Sequence, residues 1–159
     1  MNKRALVDKV VQQLTAEVQG LFKAARAAHA EATHEQSKAE DKYDTRGLEA
    51  SYLARGQSRQ AAEIGQAIAE FQALPLRDFK PDDAIDVGAF VELNGKREKA
   101  YYFIGPRAGG TEIVHDGKDI LVITPQSPLG QQLVGKKKGA RIKLEIAGAS
   151  DSLQITRVV

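Results

Sequence analysis

The first half of the sequence carries two apolar repeats that mirror each other. Within each repeat the positions recur at alternating spacings of four and three residues, which is the a/d pattern of a coiled coil. When the repeats are laid antiparallel, Val7 falls opposite Leu74 and the register stays in step toward the far end. Because two helices of one hairpin must pair in this way, the sequence predicts an antiparallel coiled-coil hairpin over residues 1–75, with its tip near 38–44. The repeats are Val7, Val11, Leu14, Val18, Leu21, Ala25, Ala28 and Ala32, and Leu53, Gln57, Gln60, Ile64, Ala67, Phe71 and Leu74.

The composition of this half favours long helices. Between residues 4 and 37 there is no proline, and Gly20 is the only glycine. The second helix is predicted to begin between Thr45 and Leu48 and to end at Leu74, because a residue that precedes proline avoids helical geometry. Large apolar residues fill the seam near the base, and alanine and glutamine replace them toward the tip. This gradient predicts a firm base and a less tightly packed distal half.

The pattern changes after a linker predicted at residues 76–84. Alternating apolar and polar residues predict a small antiparallel sheet, and the Asn-Gly dipeptide at 94–95 predicts a hairpin between its first two strands. Ser127 and Pro128 predict the start of a short helix, as N-cap and first-turn residue. The expected fold class is therefore α+β, with the hairpin followed over residues 85–159 by a small antiparallel β domain that has one short helix. The strands are predicted at residues 89–93, 99–104, 111–114, 120–124, 141–146 and 153–159, and the helix at 129–134.

Composition limits the possible functions. The 159-residue chain has 23 basic and 21 acidic side chains, and a net charge of +2 does not favour nucleic acid as the main partner. It has no cysteine, which excludes disulfides, thiol nucleophiles and cysteine metal sites. No apolar run approaches the roughly 20 residues of a membrane span, and the first residues lack the apolar core of a signal peptide. We therefore expect a soluble, cytoplasmic protein with no membrane partner.

Two charged clusters are candidates for function. Glu40, Asp41 and Asp44 crowd the predicted tip, and Glu49 lies about one helical turn away. These carboxylates are either simply solvated or deliver a Mg²⁺ ion or an attacking water to a metal held elsewhere, since Mg²⁺ accepts one or two protein carboxylates. The lysine run at 136–138, between two glycines, indicates a solvated turn or a contact with a partner or nucleic-acid backbone.

A family resemblance rests on two segments of the second half. Residues 123–139, ITPQSPLGQQLVGKKKG, form a predicted strand, a Ser-Pro start, a short helix and a G-K-x-x-G end, and residues 102–105 read YFIG. With the long hairpin before them, these segments resemble the bacterial Gre (GreA/GreB-type) transcript-cleavage factors over nearly the full chain. The resemblance implies an FKBP-like fold for the C-terminal domain.

The resemblance also implies a partner and a mechanism. RNA polymerase is the expected partner, with the C-terminal domain at the rim of its secondary channel and the hairpin inside, near the 3′ end of a backtracked transcript. The factor is expected to be a monomer without a cofactor of its own and not an enzyme alone, because the polymerase supplies the active site and its Mg²⁺. The expected catalytic residues are Asp44, Asp41 and Glu49, of which Asp44 and Asp41 would share the polymerase-bound Mg²⁺ only in the complex. The expected partner-binding residues are Ser127, Pro128, Leu129, Gly130 and Leu133.

The tip departs from the family pattern, G-D-L-x-E-N-A-E-Y. If Tyr52 matches the family tyrosine, Thr45 and Leu48 occupy the positions of the two family acids, and Asp44 and Glu49 are each one residue out of register. The departure favours an alternative in which the protein occupies the channel and regulates or inhibits the polymerase without cleavage. A more distant alternative is peptidyl-prolyl isomerase activity, since the second domain resembles an FKBP-like fold, although fold alone does not imply function.

Overall fold

A computed structural model describes residues 1–33, 53–96, 98–146 and 148–159. Within these ranges two longer helices precede a six-stranded sheet that contains one short helix, so the predicted α+β class is confirmed. No helix in these ranges combines the length and the hydropathy that a membrane span requires. The helices are α1 (Lys3–Thr33), α2 (Arg55–Ala73) and α3 (Pro128–Leu133), and the strands are β1 (Phe90–Asn94), β2 (Lys99–Ile104), β3 (Glu112–His115), β4 (Lys118–Ile123), β5 (Arg141–Ile146) and β6 (Ala149–Val158).

The chain divides into two compact units. The first, called here the sheet unit, comprises residues 1–10 and 70–159, and the second, the helical unit, comprises residues 11–69. The first turns of α1 and the last turn of α2 thus belong to the sheet unit. The predicted domain boundaries at residues 75 and 85 stay predictions.

The second helix differs from its prediction in the part that is described. Leu53 and Ala54 are not helical, and α2 begins at Arg55 and ends at Ala73, just before Pro75. The Gln57 side chain accepts a hydrogen bond from the Ala54 N–H (3.1 Å), which is a contact of a helix N-terminus. The helix therefore begins here, where the prediction had a continuous helix. The predicted start between residues 45 and 48 lies outside the described residues.

The sheet is mixed, with the strand order β3-β4-β2-β1-β6-β5. Its pairings are antiparallel except that between β2 and β4, which is parallel, so the expectation of a purely antiparallel domain needs this correction. The physical reason lies in the β3–β4 hairpin, whose second strand inserts between β3 and β2. Asp116 (φ 50°) and Gly117 (φ 69°) form its two-residue turn, in which both residues take the left-handed conformation.

The β1–β2 hairpin is confirmed, although its turn is longer than an Asn-Gly pair. Asn94 still belongs to the strand and pairs with Lys99. The Gly95 N–H donates to the Glu98 carbonyl (3.0 Å) and closes the loop. Gly95 is therefore the first residue of a wider loop.

Burial along the predicted helical seam falls away from the base. In the sheet unit Val7 is 1% exposed and Phe71 is 0% exposed. In the helical unit Leu14 and Ala25 are buried, whereas Ala28 is exposed. Near its start α1 also buries residues outside the a/d positions, because this end of the helix is enclosed by the sheet unit. These additional residues are Lys3, Leu6 and Val10.

The core of the sheet unit lies between the sheet, α3 and the segment that leads into β1. Alternate residues of the strands enter it, as period-two patterning predicts. Residues 135 and 136 are bonded through their backbones to Ile85, which joins the start of this segment to the end of α3. The cluster comprises Phe79, Ile85, Ala89, Val91, Leu93, Ile104, Ile123, Leu133, Ile142, Leu153, Ile155 and Val158.

Candidate functional site

The predicted catalytic acids lie outside the described residues. This applies to Asp41, Asp44 and Glu49, and to the neighbouring Glu40. Their roles in catalysis and in sharing a metal ion therefore stay predictions. Within the described ranges, no group of three or more histidine or carboxylate side chains is placed to hold a metal ion.

A buried lysine joins the start of α1 to the segment before β1. Lys3 is 5% exposed, and its ammonium donates hydrogen bonds to the carbonyls of Arg77 and Gly88, the second at 3.2 Å. The Phe79 ring lies 4.8 Å from the Lys3 Nζ and 3.9 Å from the Arg77 guanidinium, so two cations contact one ring. Burial of the ammonium lowers the pKa of Lys3 below its usual 10.5, against an opposing effect of the Asp78 carboxylate.

Two further contacts join the helix ends to the sheet. Lys9 donates to the Val114 carbonyl on β3 (2.8 Å), which ties α1 to an edge strand. At the end of α2, Glu70 accepts from the Arg107 guanidinium at 2.7 Å. Together with Lys3, these contacts attach both predicted hairpin arms at their base.

Close packing at the loop after β2 reinforces this attachment. A methyl group at Gly105 would come within 2.8 Å of the Phe71 ring and equally close to Val122. The Phe71 ring is therefore seated directly against backbone at a position where only glycine fits. This explains in physical terms why a glycine ends the YFIG segment.

The Ser-Pro segment is explained by local geometry. The Ser127 Oγ accepts from the Gly130 N–H (3.0 Å) and donates to the Thr124 carbonyl (2.7 Å), so the predicted helix cap is confirmed. Pro128 occupies the first turn, where its missing N–H costs nothing. A side chain at Gly130 would lie 1.8 Å from the Thr124 carbonyl oxygen, which makes glycine obligatory.

The five predicted partner-binding residues lie together in and before α3, but they differ in access. Leu133 is 0% exposed and forms part of the core, and Gly130 is also buried. Ser127 and Leu129 are half-buried, and Pro128 is exposed. A partner can therefore touch Pro128 and the outer part of Leu129, whereas Leu133 is inaccessible in the folded domain. Their contact with a partner stays a prediction.

A basic groove beside α3 was not predicted as a unit. The lysine run forms an exposed turn flanked by Gly135 (φ 86°) and Gly139 (φ 92°), as its composition indicates. The groove has a volume of about 610 Å³. The sequence signal was the Arg-Ile-Lys alternation of β5, which follows the lysine run directly. The groove is lined by Gln131, Gln132, Val134, Gly135, Lys136, Arg141, Ile142 and Lys143.

Comparisons with known proteins give structural neighbours only. No family model and no curated protein sequence matches the chain. Thermus aquaticus Gfh1 is 20% identical, covers 98% of this chain and 92% of its own, and has a TM-score of 0.41. GreA factor homolog 1 (Gfh1) of Thermus thermophilus is 18% identical, with 94% of each chain covered and a TM-score of 0.39.

A third neighbour comes from another organism. The prokaryotic transcription elongation factor GreA/GreB from Nitrosomonas europaea is 18% identical, covers 63% of this chain and 83% of its own, and has a TM-score of 0.38. These neighbours are Gfh1 and GreA/GreB factors.

Proposed function

We propose that this protein is an accessory factor that binds RNA polymerase and acts during transcript elongation through the secondary channel. The observation that carries the proposal is the segment at residues 123–139. Its resemblance to the Gre family extends to residues with distinct structural tasks: Ser127 caps the helix, Gly130 avoids a clash and Leu133 fills the core.

The length of α1 supports the proposed entry into the channel. At about 1.5 Å per residue, the 31 residues of α1 span about 46 Å. Lys3 and Lys9 attach the start of α1 to the sheet unit, and the Glu70–Arg107 pair attaches the end of α2.

In this proposal the tip acids serve the polymerase active site. Asp44 and Asp41 would share the polymerase-bound Mg²⁺, and Glu49 would assist them; the metal would supply a polarised water for cleavage of the transcript. The chain's own contribution is to bring carboxylates to that place and to hold them there. The factor is therefore not an enzyme in isolation.

The direct test measures RNA cleavage in stalled, backtracked elongation complexes with Mg²⁺, with and without the protein, while polymerase binding is followed in the same sample. We expect faster shortening of the transcript, and we expect Asp44→Asn to abolish it while binding persists. Asp119→Asn, an exposed acid on β4, is the matched control. Cleavage that survives loss of Asp41, Asp44 and Glu49 would refute the tip-acid mechanism, and absence of binding would refute the proposal.

Docking is proposed to use Pro128 and Leu129, the accessible part of the Ser-Pro segment. Leu129→Glu should weaken polymerase binding, because it places a charge in the apolar contact. Val114→Glu is the control, since Val114 on β3 is an apolar side chain that is 62% exposed. Equal loss of binding in both variants would contradict a specific role for Leu129.

A second candidate function is favoured by the register of the tip. With Tyr52 aligned to the family tyrosine, Thr45 and Leu48 stand at the acid positions, which suits a factor that occupies the channel and inhibits or modulates without cleavage. Binding that slows elongation and produces no cleavage would identify this function. Peptidyl-prolyl isomerase activity has less support, because Phe79, Phe90 and Phe103 are buried in the core and do not line an open site. Turnover above background in a proline-isomerisation assay would revive it.

A further inference from the structure

Five cationic side chains lie in the turn after α3 and on β5. All five side chains are exposed, and none forms an ion pair with another residue in the described ranges. Three of them line the basic groove described above. The segment 136–146 contains one acid, Glu145, on β5, so these five cations leave it with a net positive charge. The five are Lys136, Lys137, Lys138, Arg141 and Lys143.

The same place is an open edge of the sheet. β5 is an edge strand that pairs with β6 alone. The Ala140 carbonyl accepts from the Ile155 N–H (2.9 Å), and the alternation of an antiparallel ladder then turns the backbone N–H and C=O groups of Arg141 and Lys143 away from β6. The residues that present cationic side chains thus also present unpaired backbone groups.

The opposite edge differs in both respects. On β3 the Val114 carbonyl already accepts a hydrogen bond from Lys9, and the neighbouring groove is lined by Glu112 and Asp119. That edge is therefore partly blocked and acidic. Among the described strands, only the β5 edge combines unpaired backbone groups with a net positive charge.

The chemistry of the groove selects among possible occupants. A second copy of β5 would bring the same cations against Arg141 and Lys143, and like charges on paired strands repel. Single-stranded nucleic acid is bound by aromatic platforms that stack on bases, and no aromatic residue lines this groove. An extended acidic peptide satisfies both features, because its backbone can pair with the edge and its carboxylates can meet the cations.

We propose that the β5 edge is a docking site for an extended acidic segment of a partner protein, which adds to the sheet as a further strand. Alternate side chains of a strand lie on one face about 6.7 Å apart, so a segment with acids at every second position matches Arg141 and Lys143. Gln131 and Gln132 of α3 line the same groove and offer amides to the polar side chains of the segment. The inference stands without the polymerase proposal, since it concerns the isolated chain and a peptide.

The test uses the full chain and a fluorescein-labelled peptide with glutamate at alternate positions and valine between them. Fluorescence anisotropy at low salt should show saturable binding. The double variant Arg141→Glu/Lys143→Glu should weaken it about tenfold or more, because reversed charges repel the peptide. The control is Lys80→Glu/Lys96→Glu, which reverses two exposed lysines elsewhere in the sheet unit and should change affinity by less than about twofold.

Two further measurements distinguish strand addition from general attraction. Hydrogen exchange should slow at the Arg141 and Lys143 amides when the peptide binds, and the reversed variant should bind a peptide with lysine in place of glutamate. That charge-swapped binding also shows that the variant is folded. Absence of saturable binding, equal loss in the control pair, unprotected amides, or tighter binding of an oligo-dT strand would each overturn the proposal.

Discussion

The two units of this protein are packed to very different degrees. Among the described residues, the largest fully buried side chains all belong to the sheet unit, including Phe71, Ile85 and Leu133. In the described part of the helical unit, residues 11–33 and 53–69, the buried apolar residues are Leu14 (3% exposed), Ala25 (4%), Ala67 (4%) and Ile64 (8%). Because burial of apolar area is the main source of stability, most of the stabilising burial among the described residues lies in the sheet unit.

The same substitution in the two units provides the largest test of this difference. Ile85→Ala, at a residue 1% exposed, should reduce the free energy of unfolding by about 4 kcal/mol, and Ile64→Ala by about 2 kcal/mol. The smaller loss at Ile64 is expected because fewer atoms surround it. Urea unfolding followed by circular dichroism measures both, with Val114→Ala as an exposed control. Equal losses of unfolding free energy in the two variants would contradict the difference in packing between the two units.

A glycine substitution inside the sheet unit should cause the next largest loss of unfolding free energy. Gly130→Ala places a methyl group against the Thr124 carbonyl, which cannot withdraw without breaking its hydrogen bond from Ser127. We expect a loss of about 3 kcal/mol in thermal or urea unfolding. Lys137→Ala, at an exposed position of the following turn, should be almost neutral. A neutral Gly130→Ala would show that this segment has room to move.

Glycines of the helical unit should respond in the opposite direction. No atom lies within 4 Å of a methyl group placed at Gly20 or Gly65. Each change to alanine should therefore stabilise the protein by about 0.5–1 kcal/mol, because alanine loses less backbone entropy in a helix. The combined variant should gain the sum of the two, measured by urea unfolding. Destabilisation at either position would mean that the helical unit is packed more closely than its burial indicates.

The smallest effect is a pH dependence at the base. The folded pKa of Lys3 is lowered by desolvation, so the unfolded chain binds more protons between that value and 10.5, and stability from this group rises with pH across the interval. We expect the free energy of unfolding of the wild type, minus that of Lys3→Met, to increase as pH rises toward 10.5. Burial also raises the pKa of Tyr102, but this tyrosine is present in both proteins and cancels in the difference. A difference that falls with pH would show that hydrogen bonds to the ammonium outweigh its desolvation.

The local sequence pattern predicted most of the helices and strands. It could not predict which strands pair with each other when they are distant in the sequence. The strands at 99–104 and 141–146 have their predicted bounds, because period-two alternation is strong there. β6 begins at Ala149 rather than at residue 153, because its first residues are small and polar and show no alternation. The parallel pairing of β2 with β4 produces no recognisable pattern in the sequence of either strand. The Asp116-Gly117 turn was a readable hairpin signal that the strand assignment did not use.

The features of the candidate site also differ in whether the local sequence predicts them. The Ser127 cap could be predicted, because it depends on a side chain and a backbone three residues away. Lys3 could not, since its partners Arg77 and Gly88 are brought to it only by the fold. The same applies to Arg141 and Lys143, whose significance depends on β5 being an edge. The tip acids remain known from sequence alone.

The enclosure of the first turns of α1 has a consequence for the synthesis of the protein. Leu6, Val7 and Val10 are synthesised before the sheet that encloses them, in which Val91 pairs with Val158. The nascent chain must therefore carry this apolar face uncovered while more than a hundred further residues are added. Closure of such distant contacts is intrinsically slow, so the step that buries α1 comes late.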